Sequence, residues 1–277
     1  MPINPSAVNP RVKVLVSACI LFSIFQPAHA KDAALDSSTE TDKWLVLVSP
    51  FAWAPAMKGQ VELGGVKTNA DLRSDEILHD LDSVFMGNIE VTNRTVGFFL
   101  DGVYAKTSQS DRVFGRKVGL EITQTTLAAG AYYRAYEYAL GGTTVFNEPR
   151  TWRLEPMLGV RWTKLTTTVD VASLGFSTHK KTHWTDPFVG LRTQIDLTER
   201  WTLSGSADTG GFDTTSKKTY NGQAYLGYRL YLLEHPTVIR LGYRVLAQDY
   251  RTKDFTGKTF KYDVTQRGPV LGLSMRF

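Results

Sequence analysis

The chain has a single cysteine in 277 residues, Cys19, and it lies within the first thirty. Past that point no disulfide and no thiolate zinc site can form. Long apolar runs are missing too: nothing approaches the roughly 20 consecutive apolar residues of a membrane-spanning helix. Charge of one sign is not in large excess, with 32 Lys and Arg against 27 Asp and Glu. The basic residues are dispersed, so a nucleic-acid partner is not expected. Disorder is excluded by the 12% aromatic content together with a net charge of only +5.

The first thirty residues have the layout of an export signal. Arg11 and Lys13 form a basic start, residues 14–25 (VLVSACILFSIF) an apolar core, and Ala28-His29-Ala30 a small-residue cleavage site. Cleavage is expected after Ala30, and losing Arg11 and Lys13 then takes the net charge from +5 to +3. Val16-Ser17-Ala18-Cys19 loosely fits a lipoprotein box, but cutting there would strand Ile20-Leu21-Phe22 on the mature chain. The expected organisation is signal peptide 1–30, polar lead 31–42 and one structural unit over 43–277.

Within that unit apolar and polar residues alternate over long stretches, the period of a strand with two unlike faces. In residues 152–162, Trp152, Leu154, Pro156, Leu158, Val160 and Trp162 oppose Arg153, Glu155, Met157, Gly159 and Arg161. Ile239, Leu241, Tyr243 and Val245 oppose Arg240, Gly242, Arg244 and Gln248, and Leu271, Leu273, Met275 and Phe277 oppose Gly272, Ser274 and Arg276. A soluble sandwich also alternates, but its strands typically run five or six residues. Longer strands, aromatics such as Trp152, Trp162 and Trp201 near strand ends, and short turns alternating with longer polar loops favour a transmembrane barrel. The fold class predicted is all-β, a transmembrane antiparallel β-barrel of about ten strands, with eight or twelve as alternatives. The strands are placed at 44–55, 83–93, 95–107, 118–138, 152–168, 184–197, 200–212, 219–233, 236–250 and 267–277. Both ends then lie on the periplasmic side, with one longer periplasmic connection at 139–151. Residues 56–82 form the largest outer loop, in which 59–67 can make a hairpin and 74–81 a short helix. If that hairpin entered the bilayer, the count would be twelve.

Four stretches carry a resemblance: SPFAWAP (49–55), DPFVGLR (186–192), ERWTLSGSADTGGF (199–212) and KYDVTQRGPVLGLSMRF (261–277). They resemble proteobacterial outer-membrane β-barrel proteins of a family with no assigned activity. The resemblance implies location in the bacterial outer membrane, contact with its lipids and lipopolysaccharide, and recognition of the last strand by the barrel assembly machinery through Phe277. It implies no catalytic residues.

Charges on a lipid-facing wall would cost about 2–4 kcal/mol each at the membrane midplane. Glu90, Asp101, Arg134, Arg153, Glu155, Arg161, Arg192, Asp196, Asp208, Arg229, Arg240, Arg244 and Arg276 are therefore placed in the lumen, as a salt-bridged plug or the lining of a narrow pore. A barrel-embedded hydrolase is the alternative. The first loop holds acidic raw material for an omptin-like protease (Asp71, Asp75, Glu76, His79, Asp80, Asp82), without that family's paired-Asp and Asp-His pattern. Ser177 and His179 fall two apart on a strand, about 6.6 Å, in reverse order to barrel lipases and with no orienting group. His179 and His183, about 13 Å apart on an extended strand, are too far apart to share a metal. No cofactor, no metal and no catalytic residue is assigned, and oligomeric state is left open.

Overall fold

The computed structural model describes residues 43–63, 66–79, 81–113, 116–171, 176–212, 217–253 and 259–277. Cys19, Ala28, Ala30 and the whole polar lead of residues 31–42 lie outside them. In chain order the elements are β1 (Leu45–Trp53), β2 (Ala56–Leu63), β3 (Val66–Leu72), α1 (Ser74–His79), β4 (Leu81–Thr92), β5 (Val96–Val113), β6 (Arg116–Tyr133), β7 (Tyr136–Thr143), β8 (Pro149–Val171), β9 (Phe176–Asp196), β10 (Trp201–Gly210), β11 (Lys217–Leu232), β12 (His235–Lys253) and β13 (Thr259–Arg276).

Ten of these strands form a closed antiparallel ring, in the order β1, β4, β5, β6, β8, β9, β10, β11, β12, β13. The ring shuts where β1 pairs with the inner half of β13, Leu47 opposite Arg276 and Trp53 opposite Val270. Closure leaves no sheet edge along that part of the wall, as a β-structure in lipid requires. The outer half of β13 pairs instead with β2, Ala56 opposite Arg267, in the same register as β1. One long strand is thus interrupted only at Ala54-Pro55, where proline has no N–H to give. The predicted 59–67 hairpin exists as β2–β3, and the predicted short helix as α1. The hairpin lengthens the rim above β13 rather than entering the ring, so the barrel has ten strands and not twelve. Above Pro50 and Gly87, β1 and β4 part company. There the Trp53 amide donates to the Met86 sulfur at 3.2 Å.

The walls run longer on the outer side than the sequence suggests. Residues 108–113, 116–117, 169–171, 176–183, 251–253 and 259–266, expected in loops, are strand. Each of these stretches pairs residue by residue with its neighbour, so the ladder continues past the alternating segments. On the periplasmic side the turns are tight. Leu233 and Glu234 both take positive φ (49° and 66°) between β11 and β12, the conformation that matches the twist of a two-residue hairpin.

The apolar face points outward: Leu158 is 64% exposed and Leu241 62%, while Arg161 is 2% exposed. That is the inverse of a water-soluble fold. A closed barrel with an apolar exterior and charged interior is a transmembrane one.

Candidate functional site

Alternation brings the charged face of every wall strand into the lumen, where the curvature of the ring sets opposite strands within side-chain reach. All thirteen charged residues picked out from the sequence line two adjoining lumen cavities, of about 160 Å³ and about 280 Å³. The cavities share Glu90, Glu155, Arg192 and Arg240 in their walls, so they lie side by side.

Ion pairs cross that space. Arg244 on β12 reaches Asp101 on β5 at 3.0 Å, and Arg192 on β9 reaches Glu90 on β4 at 3.1 Å. Each joins strands four places apart in the ring of ten. Arg161 pairs with Asp208 at 2.8 Å, both almost wholly buried, and Asp208 also accepts from the Asn221 amide at 2.7 Å. Arg229 pairs with Asp196, which also accepts the Thr151 backbone N–H at 2.9 Å. Glu155 takes Arg134 at 3.4 Å and Arg192 at 3.6 Å. Aromatic faces supply further cation contacts, Arg192 lying 4.0 Å from the Tyr132 ring centre and Arg161 4.9 Å from that of Phe188. Gly159 makes the last contact possible, because a Cβ there would meet the Phe188 ring at 2.6 Å.

Two arginines stand outside this pairing. Arg153 and Arg240 have no carboxylate partner among the described residues, and the Nε of each is buried without an acceptor. Arg240 has only the Tyr225 ring, 5.3 Å from its guanidinium carbon.

The lumen is sealed outward of the ion pairs. Gln124 on β6 and Gln266 on β13 exchange two amide hydrogen bonds across the ring, at 3.2 and 2.9 Å, and Gln248 donates to Thr163 at 3.0 Å. Beyond them Trp184, Phe260, Tyr262 and Val264 pack together, with Trp184 stacked on Tyr250 at 4.6 Å between ring centres. Trp53, Leu246 and Val270 form a second buried cluster. Beside the charged residues expected in the lumen, its outer part thus holds an apolar cluster interleaved with amides and hydroxyls. The signal was present in strand parity, since Trp184 and Phe188 share a face with Asp186 and Arg192. Asp186, on the same face, is 1% exposed and accepts from the Thr219 hydroxyl at 2.7 Å.

The periplasmic mouth is covered by the tip of the β7–β8 hairpin, residues 144–148. Glu148 takes Arg94 from the β4–β5 turn at 2.8 Å and Arg276 from β13 at 2.6 Å. Val145 donates its N–H to the Glu199 carbonyl, and Phe146 packs edge-on against Tyr231, 5.3 Å between centres. Arg150 donates to the Leu197 carbonyl at 2.6 Å. Four different places on the rim thus hold one loop across the opening. Periodicity could not have found Glu148, because it lies in a connection. Phe277, the C-terminal aromatic, packs beside His235, 4.6 Å between ring centres, and its backbone pairs with Val46.

Among the described residues, part of the acidic material at the rim is already engaged by cations. Arg73 occupies Asp75 at 2.9 Å and Glu76 at 3.4 Å, and Asp71 sits opposite Lys58 in the β2–β3 register. Asp80 lies outside the described residues. Ser177 and His179 fall on β9 opposite Asp170 and Thr168, while His183 is exposed on the outer wall. Among the described residues no three His, Cys, Asp or Glu gather as metal ligands.

No protein-family model and no curated protein matches the chain. Among solved structures it is similar to the outer membrane protease OmpT from Escherichia coli, at 12% identity and a TM-score of 0.45, with 86% of this chain and 97% of that one covered. It is also similar to Ail, the attachment invasion locus protein of Yersinia pestis, in complex with the heparin analogue sucrose octasulfate (13% identity, TM-score 0.35, 84% of this chain and 98% of that one). A third is Neisserial surface protein A (11% identity, TM-score 0.27, 84% and 97%). Similarity this distant says nothing about activity.

Proposed function

We propose that the protein is a non-enzymatic outer-membrane barrel whose lumen is a cross-linked plug rather than a diffusion pore, and which presents its long outer strands at the cell surface. The observation that carries this reading is the set of side-chain bridges across the ring: Gln124–Gln266, Arg244–Asp101 and Arg192–Glu90. A ten-stranded barrel is only slightly wider than the eight-stranded kind that side chains fill, and far from the sixteen strands of open porins. The aromatic cluster around Trp184 blocks the outward path, and the loop of residues 144–148 covers the inward one. Lipid and lipopolysaccharide surround the apolar wall, and the paired final strand ending in Phe277 is the segment offered to the assembly machinery.

The test is single-channel recording of folded, detergent-purified mature protein in a planar bilayer. Silence is expected, and Arg244→Ala should lower stability without opening a channel. Discrete conductance steps whose ion selectivity shifts in Arg244→Ala would replace the plug with a pore lined by these arginines.

A further inference from the structure

The two cavities carry more arginines than carboxylates in their walls. Nine arginines and seven carboxylates line the two cavities, with no lysine among them. The surplus falls on particular residues, since every lining arginine except Arg153 and Arg240 is within 4.0 Å of a carboxylate. Each of the two is half-buried with its Nε orphaned, and a guanidinium so placed without a carboxylate is unfavourable. A wall built only to be filled would gain by replacing either one with a neutral side chain. Both remain, on β8 and β12, four strands apart in the ring and facing the same cavity of about 280 Å³.

We propose that this cavity is a binding site for a small oxyanion carrying two negative charges, a phosphate or a short dicarboxylate, held between Arg153 and Arg240. Guanidinium groups suit this role because their planar fork of N–H donors matches the oxygens of a carboxylate or phosphate, and they stay charged at any physiological pH. The volume admits such an anion with a few waters but not a sugar chain or a lipid. Entry is from the periplasm, past the loop that Glu148 ties to Arg94 and Arg276. Those two ion pairs are a third or so exposed, so they hold the loop weakly and let it lift. The outward route is shut by the Gln124–Gln266 bridge and the Trp184 cluster.

The inference rests on the closed lumen proposed above, and its test has a separate readout. Refolded mature protein in micelles is unfolded in urea at fixed ionic strength, with added inorganic phosphate or with added succinate. The expected result is a saturable rise in unfolding midpoint with at least one of the two, because a ligand that binds only the folded state stabilises it. Phosphate alone would identify a tetrahedral oxyanion, succinate alone a dicarboxylate. The double variant Arg153→Gln, Arg240→Gln should lose the rise entirely, yet unfold in chloride no more easily than wild type, since it removes charges that lack partners. A wild-type midpoint indifferent to both anions, by unfolding and by isothermal titration of the folded protein, would overturn the proposal. So would an undiminished rise in the double variant, which would place the anion elsewhere. Conductance steps in a bilayer would sink the plug alone.

Discussion

Asp208→Asn offers a strong perturbation of the plug. The carboxylate joins Arg161 and Asn221, and the two partners of the ion pair are 2% and 3% exposed. Arg161 already has Nε and Nη1 without acceptors, so Asp208 is its principal compensation, with the Phe188 ring a lesser one. Asparagine keeps the shape and one acceptor but removes the charge. Breaking a buried pair from one side costs about 3–5 kcal/mol, because the surviving charge stays buried and unpaired. The retained acceptor puts the expectation near the lower end of that range. Removing both charges is different: Arg161→Met with Asp208→Leu should return the barrel to within about 1 kcal/mol of wild type or above it. Equilibrium unfolding of the three proteins in micelles, with identical lipid or detergent, measures the comparison. The reasoning fails if Asp208→Asn stays within about 0.5 kcal/mol of wild type, the range of an ordinary surface change. It fails equally if the double replacement is no better than the single one.

Three further outcomes follow from the same geometry. Leu158→Arg, on the exposed outer face, should cost about 2–4 kcal/mol if its site is near the bilayer midplane; reversible unfolding in lipid vesicles reads this directly, and a neutral result would reverse the inside-out assignment. Gly159→Ala would push a methyl group against the Phe188 ring and the Ala129 carbonyl, with an expected cost of about 1–3 kcal/mol, seen as a lower unfolding midpoint. Glu148→Gln removes the negative charge shared by Arg94 and Arg276. Partly exposed pairs contribute little, so global stability should move by less than about 1 kcal/mol, while trypsin cleavage after Arg150 should accelerate several-fold. Unchanged cleavage would mean that Phe146 and the backbone contacts alone hold the loop.

Which way each side chain points, and hence which charges are interior, was set by alternation alone. In residues 152–162 every second residue is apolar and its neighbours, Met157 apart, are charged or small, and a period of two has no other placement in a lipid wall. Strand positions could be read for the same reason, most closely at the periplasmic turns, where short polar interruptions stand between long alternating stretches. The outer strand ends could not. Where both faces of a strand meet water, the polar–apolar contrast that marks a strand within the bilayer weakens, and residues such as 176–183 read as loop although their backbone remains paired.

Tertiary structure alone decided the partnerships. Gln124 meets Gln266 across 142 positions of chain, and Arg244 meets Asp101 across 143. Such pairs depend on ring order, closure and register, none of which is a local property of sequence. The same holds for the charge balance. Thirteen inward charges could be named from alternation, but that Arg153 and Arg240 are left over emerges only when each carboxylate has been assigned to the arginine it reaches. The loop over the periplasmic mouth belongs in this class too, because Glu148 draws its partners from a turn and a strand distant in sequence. Sequence determined the wall and its two faces, since each residue answers to lipid or lumen independently of the others. The plug, the seal and the surplus charge came from folding the wall into a ring, which sets facing side chains within bonding distance.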